Sequence, residues 1–201
     1  MSRFNLSKGE RFSFAKDEGL NNLTVTLGWG EGADLDVSAF LVGEDGVIED
    51  DANFVYYNSA KRSEDFDRAK HGNKNAWKAN TRPMSADGSV LGSIDDREGG
   101  SSENMSVDLS KVDAKVSEII FCATVFDEGK SFGDVVSPYI SIVNDDNGEE
   151  LCRYTLDEQF ADETALIAGS LLVNEDGDWE FKAEGRGLVG GLQALVELYA
   201  E

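Results

Sequence analysis

The chain has 201 residues, with 40 acids against 18 Lys and Arg and a formal charge of -22 at pH 7. That length supports one ordinary core and not two, so a single domain over 1–201 is expected. The charge excludes general binding to nucleic acid or an anionic membrane, whose phosphates repel it, and favours cations. No stretch approaches the roughly 18 apolar residues of a membrane span, so no transmembrane segment is expected. Met1 to Lys8 lack the apolar core of a secretory signal, which points to the cytoplasm.

In chain order, Leu23, Val25, Leu27 and Trp29 alternate with polar residues, and Leu35, Val37, Ala39 and Leu41 do the same. Period two is the strand signature. Gly43-Glu44-Asp45-Gly46 separates the second strand from Val47-Ile48 and a strand ending at Phe54 to Asn58. A short helical turn is expected after Ser110 as N-cap. Ile119 to Phe126 is strand-like, and Asn147-Gly148 joins Tyr139–Val143 to Leu151–Leu156 as a hairpin. Glu175-Asp176-Gly177-Asp178 makes another turn between Leu166–Val173 and Trp179–Ala183; it resembles a calcium loop only superficially, because its glycine falls too early and flanking helices are absent. Leu188, Leu192, Leu195, Val196 and Tyr199 share one helical face, which either closes the core or docks a partner. The expected class is mostly β: an antiparallel β-sandwich of two sheets with a C-terminal helix and short helical turns. Cys122 and Cys152 lie inside apolar strand patterns and read as buried thiols.

One segment departs from this pattern. Between residues 59 and 83 the alternation stops, and Lys61, Arg62, Arg68, Lys70, Lys74, Lys78 and Arg82 face only Glu64, Asp65 and Asp67, leaving +4 in a chain of -22. Such a segment can fold on its own acidic surface, bind a neighbouring copy, or reach a phosphate through residues 61–82.

Asp34 and Asp36 stand two apart at the mouth of an apolar strand and so share a face. Two carboxylates aimed together stay ionised in open water or beside a cation, and a solvated polar face or a hard divalent ion such as calcium satisfies them. Calcium takes six to eight oxygens, so other segments must contribute. Asn58 ends a strand with an amide oxygen, and the glycine-rich run from Asp95 and Asp96 to Glu103 supplies further acids.

Together with Leu6-Ser7-Lys8-Gly9-Glu10, Leu27-Gly28-Trp29, Phe54-Val55-Tyr56-Tyr57-Asn58, Ser85-Ala86-Asp87-Gly88-Ser89-Val90, Val107-Asp108-Leu109-Ser110-Lys111-Val112, and the stretches Asn144–Tyr154 and Gly185–Leu195, these residues make the chain resemble the TerD family of tellurium-resistance and general stress proteins. The resemblance implies a cytoplasmic β-sandwich that binds calcium through acidic loops and is not known as an enzyme. It marks residues 59–83 as an insertion. In the family the acidic loop carries two further aspartates where this chain has Ser101 and Ser102, which implies a weakened calcium position. The metal ligands expected are therefore Asp34, Asp36, Asn58, Asp95, Asp96 and Glu103, with calcium the ion. A stress-associated binding or scaffold module is expected, alone or with other TerD-like proteins; the alternative is a structural protein forming homo-oligomers through the insertion.

No catalysis is expected. The lone histidine, His71, lies in the basic segment beside no nucleophile, and no phosphate-binding glycine-lysine loop or dinucleotide fingerprint occurs.

Overall fold

The structure, a computed structural model, describes residues 4–14, 20–94, 101–156 and 160–200. Two sheets face each other. The first runs β1 (Phe4–Leu6), β10 (Glu149–Thr155), β9 (Tyr139–Asn144), β3 (Asn22–Gly28), β7 (Ser102–Asp108), β6 (Val90–Leu91). The second runs β2 (Arg11–Ser13), β12 (Trp179–Leu188), β11 (Ala165–Val173), β8 (Glu118–Val125), β4 (Leu35–Val42), β5 (Phe54–Val55). Every pairing is antiparallel except that of β1 with β10. The antiparallel sandwich expected from the alternation is the observed architecture.

Alternation explains the packing. Leu23, Val25 and Leu27 of β3 meet Leu35, Val37, Ala39 and Leu41 of β4 in the core between the sheets, with Phe121 and Phe181. The opposite face of β4 changes character along its length, from Asp36 and Ser38 to Phe40 and Val42. Phe40, Val42, Ile120, Cys122 and Ile167 form a second core with Leu195, under Leu192 and Tyr199 of α3 (Gly191–Tyr199). The C-terminal helix thus closes the outer face of the second sheet. It begins later than the apolar periodicity suggests, because Leu188 ends β12 and Gly190 and Gly191, at φ +116° and +60°, turn the chain between strand and helix.

Cys152 belongs to the core between the sheets and Cys122 to the one under α3; both thiols are free. Burial pushes Cys122 well up from the ordinary thiol range and Cys152 to about 12, with Glu150 adding to the second shift. Neither is poised as a nucleophile.

The predicted hairpins at Asn147-Gly148 and Gly177 are present, with Gly148 at φ +73° and Gly177 at φ +80°. In the second, the Asn174 side chain accepts from the Asp176 and Asp178 N–H groups, which explains its run of acids as turn chemistry. After Val107 the helical turn is 3-10, Leu109–Lys111, and its cap is Asp108 rather than Ser110: the Asp108 carboxylate accepts from Ser110 N–H at 3.1 Å and from its hydroxyl at 2.6 Å.

Ser85-Ala86-Asp87-Gly88-Ser89 is a carboxylate-centred clamp. Asp87 Oδ1 accepts from Ser85 Oγ (2.6 Å), Ser89 Oγ (2.7 Å) and Ser89 N–H (2.8 Å), while Oδ2 accepts from Asp113 N–H (2.9 Å). Burial pushes its pKa up, but the four bonds outweigh that and hold the carboxyl below its ordinary range. A depressed folded pKa gives stability that is present above the unfolded value and lost as pH falls through the folded one. Asp87→Ala is therefore expected to cost about 2 kcal/mol at pH 7, a figure typical of lost charged hydrogen bonds discounted for partial exposure. The gap between wild type and variant in denaturant unfolding should shrink as pH drops below the ordinary aspartate pKa and on through the depressed one. A gap independent of pH would assign the effect to packing.

The basic segment has structure of its own, unlike the loop its sequence suggests. Asp67 caps α1 (Arg68–His71) and Asn73 caps α2 (Lys74–Asn80), each with a side-chain oxygen on main-chain N–H groups. Trp77 is buried and donates its Nε1–H to Glu64 O at 2.8 Å. Arg62, 4% exposed, donates to the carbonyls of Tyr57 (3.0 Å), Lys78 (2.7 Å) and Thr81 and to Thr81 Oγ1 (2.8 Å). Arg82 reaches the first sheet through Gly92 O, Leu91 O and Ser106 Oγ, and Lys61 donates to Ala86 O. The segment thus folds against its own chain, and the cations that anchor it there meet main-chain carbonyls and hydroxyls rather than an acidic surface.

Candidate metal centre

The turn before β4 and the turn after β8 meet at one end of the sandwich. Leu35 pairs with Val125 and Asp36 with Thr124, and the ladder extends one step further because Phe126 N–H donates to Asp34 O at 2.9 Å. Asp34 and Asp36 therefore alternate with the buried Ala33, Leu35 and Val37 and share the outer face of the second sheet, as their spacing predicts.

Glu103 comes from the other sheet. It pairs with Leu27 on β7, and its Oε2 accepts from Val37 N–H at 3.0 Å, next to Asp36. This bond crosses from sheet to sheet at the open edge of β4, where β5 pairs only with Ala39 and Phe40. Glu103 thereby satisfies a main-chain donor next to Asp36 in the chain.

Asp127 is a member that sequence reasoning misses. It directly follows the apolar run of β8, and an acid just past a strand end opposite the Asp34 turn is the available signal. Its Oδ2 accepts from Asp34 N–H at 3.2 Å and from Lys130 Nζ at 2.8 Å. The Lys130 bond, then the Asp34 one, hold its carboxyl below the usual range. Lys130 Nζ also donates to Gly32 O at 2.6 Å. Trp29, Glu31, Asp34, Ser101, Asp127 and Lys130 line a cavity of about 550 Å³ here.

Asn58 is differently engaged. Pairing of β4 with β5 ends at Ala39 and Val55, the chain then turns as Ser59 N–H donates to Tyr56 O at 3.0 Å, and Lys78 of α2 donates to both Asn58 Oδ1 (2.5 Å) and Asn58 O (3.1 Å). The amide oxygen expected to face an ion faces an ammonium. Asp95 and Asp96 lie outside the described residues. Ser101 and Ser102 are exposed at the start of β7, and Ser101 O accepts from Trp29 N–H at 2.8 Å. Among the described residues, no three His, Cys, Asp or Glu side chains form a group that could hold an ion by themselves. The donors gathered at this end, carboxylates and a carbonyl, are nonetheless the hard oxygens that suit calcium.

The chain matches the TerD domain over residues 2–199. It belongs to the TerD family. It is 36% identical over 207 aligned positions to the tellurium resistance protein TerD of Alcaligenes sp, covering 96% of this chain and 95% of that protein. General stress protein 16U of Bacillus subtilis is 34% identical, with 96% and 95% covered. The fold is also that of a crystal structure described as a homologue of telluride resistance protein from Streptomyces coelicolor, with a TM-score of 0.61, 21% identity, and 90% of this chain and 96% of that one covered. In this TerD domain the sequence blocks that carry the resemblance divide by role: Ser85–Ser89 is a clamp within the fold, while Asp34, Asp36 and Glu103 converge on one end of the sandwich.

Among the described residues, no helix is long and apolar enough to cross a membrane.

Proposed function

We propose that this TerD domain is a non-catalytic, cytoplasmic calcium-binding module of a stress response of the tellurium-resistance kind. The observation that carries the reading is that four acids from both sheets lie toward one end of a chain of -22: Asp34 and Asp36 on one strand face, Asp127 on the Asp34 N–H and Glu103 on the Val37 N–H. Bringing acids toward one another costs repulsion that a divalent cation offsets, and hard oxygens of this kind suit calcium over the more tightly hydrated magnesium. The relatives named for tellurium resistance and general stress support the physiological setting.

Calcium is expected to raise the melting temperature of chelator-treated protein more than magnesium does, with affinity in the range of roughly 10⁻⁶ to 10⁻³ M that sensor-like and weaker sites span. Asp36→Asn should weaken binding tenfold or more, on the order of one lost charge-assisted ligand, whereas Asp176→Asn in the hairpin should leave it unchanged. Equal losses in the two variants would mean a diffuse ion atmosphere and rule out a discrete site.

The fold of residues 59–83 bears on the scaffold and oligomer readings. Arg62, Arg82, Lys61 and Lys78 are engaged within their own chain, and Lys70 pairs with Glu64, leaving chiefly Arg68 and Lys74 to offer charge to a partner. Contact with other TerD-like chains through this segment, or with a phosphate, would rest on those few side chains.

A further inference from the structure

We propose that Lys130 is a tethered cation that competes with calcium for the Asp34 end of the sandwich, so that occupancy of the site requires the ammonium to withdraw. The inference rests on the calcium reading above and deepens it. Lys130 Nζ holds two oxygens of the candidate centre at once, Gly32 O at 2.6 Å and Asp127 Oδ2 at 2.8 Å, and Asp127 Oδ2 is the same atom that accepts from Asp34 N–H. A carbonyl and a carboxylate are both hard oxygens of the kind calcium takes as ligands.

The backbone fixes this arrangement on both sides. Gly32 sits at φ +126°, and a Cβ there would fall 1.8 Å from Asp134 O, so the turn that carries its carbonyl packs directly on the segment after Lys130. On the other side, Phe126 N–H is bonded to Asp34 O, and Ser131 and Asp134 form a capping box around the 3-10 turn Phe132–Asp134, with Phe132 buried. Lys130 is thereby delivered beside the acids. Its side chain remains 43% exposed, however, so it can leave without breaking any packed core. A cation attached to the chain acts at a high local concentration whatever the buffer contains, and it repels a second cation at the same oxygens. The arrangement sets a threshold: the acids are neutralised by the chain's own ammonium at low calcium and by the metal only when calcium is plentiful.

The test compares Lys130→Met, which keeps most of the stem but removes the charge, with Lys115→Met. Lys115 pairs with Glu49 in a more exposed ion pair near the other end of β4, where Ser117 N–H bonds to Val42 O. Calorimetric titration of chelator-stripped protein with calcium chloride is expected to show Lys130→Met binding roughly twofold to fivefold more tightly than wild type, the scale of removing one partly exposed charge interaction, with Lys115→Met unchanged. In chelator, Lys130→Met should melt below wild type, and saturating calcium should close that gap. Wild-type binding with Lys130→Met equal or weaker would overturn the inference while leaving the calcium reading intact. Equal tightening in both variants would overturn it in favour of a general charge effect. Binding by neither wild type nor Lys130→Met would overturn both readings.

Discussion

Gly32→Ala is expected to lower the stability of the whole sandwich by about 3–5 kcal/mol, the combined scale of backbone strain and overpacking against atoms that cannot rotate away. For a chain of this size that corresponds to a fall in melting temperature of about 6–20 °C. The obstacle is main chain: the added Cβ would lie 1.8 Å from Asp134 O and 2.8 Å from its carbonyl carbon, on a residue already at φ +126°. Relief requires separating the turn at 30–34 from the segment at 131–136, which breaks the bonds from Gly30 N–H to Val136 O (2.7 Å) and from Val136 N–H to Glu31 O (3.0 Å). The same movement would pull Gly32 O from Lys130 and shift Asp34, so calcium-dependent stabilisation should fall with the fold. Gly9→Ala is the matched control. Gly9 has φ +82°, and a Cβ added there would meet nothing within 4 Å, so only conformational strain of about 1 kcal/mol is expected. If the two variants melt alike by differential scanning calorimetry, the close approach of the two turns is not what holds this end together.

How much of this is legible in the sequence follows the range of each interaction along the chain. Alternation places β3 and β4 and one face of the core, because period two survives in a half-buried strand; β11, buried on both faces along most of its length, shows no alternation and is marked off from β12 only by the turn Glu175-Asp176-Gly177-Asp178. Alternation also carries a trace of the second core: on the outer face of β4 the order Asp36, Ser38, Phe40, Val42 passes from polar to apolar where α3 begins to cover the sheet. Asp34 and Asp36 are readable because their relation is local. Glu103 follows from the family motif, but its bond to Val37 N–H depends on two sheets meeting across 66 positions of sequence. Asp127 and Lys130 escape for the same reason, since Lys130 and Gly32 are 98 positions apart. Residues 59–83 look irregular in sequence because α1 and α2, at 4 and 7 residues, are too short to display helical periodicity. Their caps, Asp67 and Asn73, are the local signal that remains.

Arg62→Met is expected to open residues 59–83 while the sandwich stays folded. Arg62 is 4% exposed, and its guanidinium satisfies the carbonyls of Tyr57, Lys78 and Thr81 together with Thr81 Oγ1. Methionine fills similar space but donates nothing, and leaving several buried acceptors without partners costs about 3–5 kcal/mol when a buried charged network is broken. Few such acceptors belong to the sheets. The segment touches the sandwich mainly through Arg82 at Gly92, Leu91 and Ser106, through Lys61 at Ala86, and through Pro83 O, which accepts from Gly92 N–H beside the Met84–Leu91 bridge. The loss should therefore appear first as local opening, below the free energy of global unfolding. Hydrogen exchange followed by mass spectrometry is expected to show peptides within 59–83 losing protection by a hundredfold or more, as about 3 kcal/mol implies, including the Trp77 turn, while β8 and β11 exchange as in wild type. Calcium-dependent stabilisation should persist, with one refinement: release of Lys78 from Asn58 Oδ1 would leave that amide oxygen open to the ion, and binding should then strengthen slightly. Equal loss of protection in β8 and β11 would show that residues 59–83 are integral to the core, and that the segment is an insertion in sequence only.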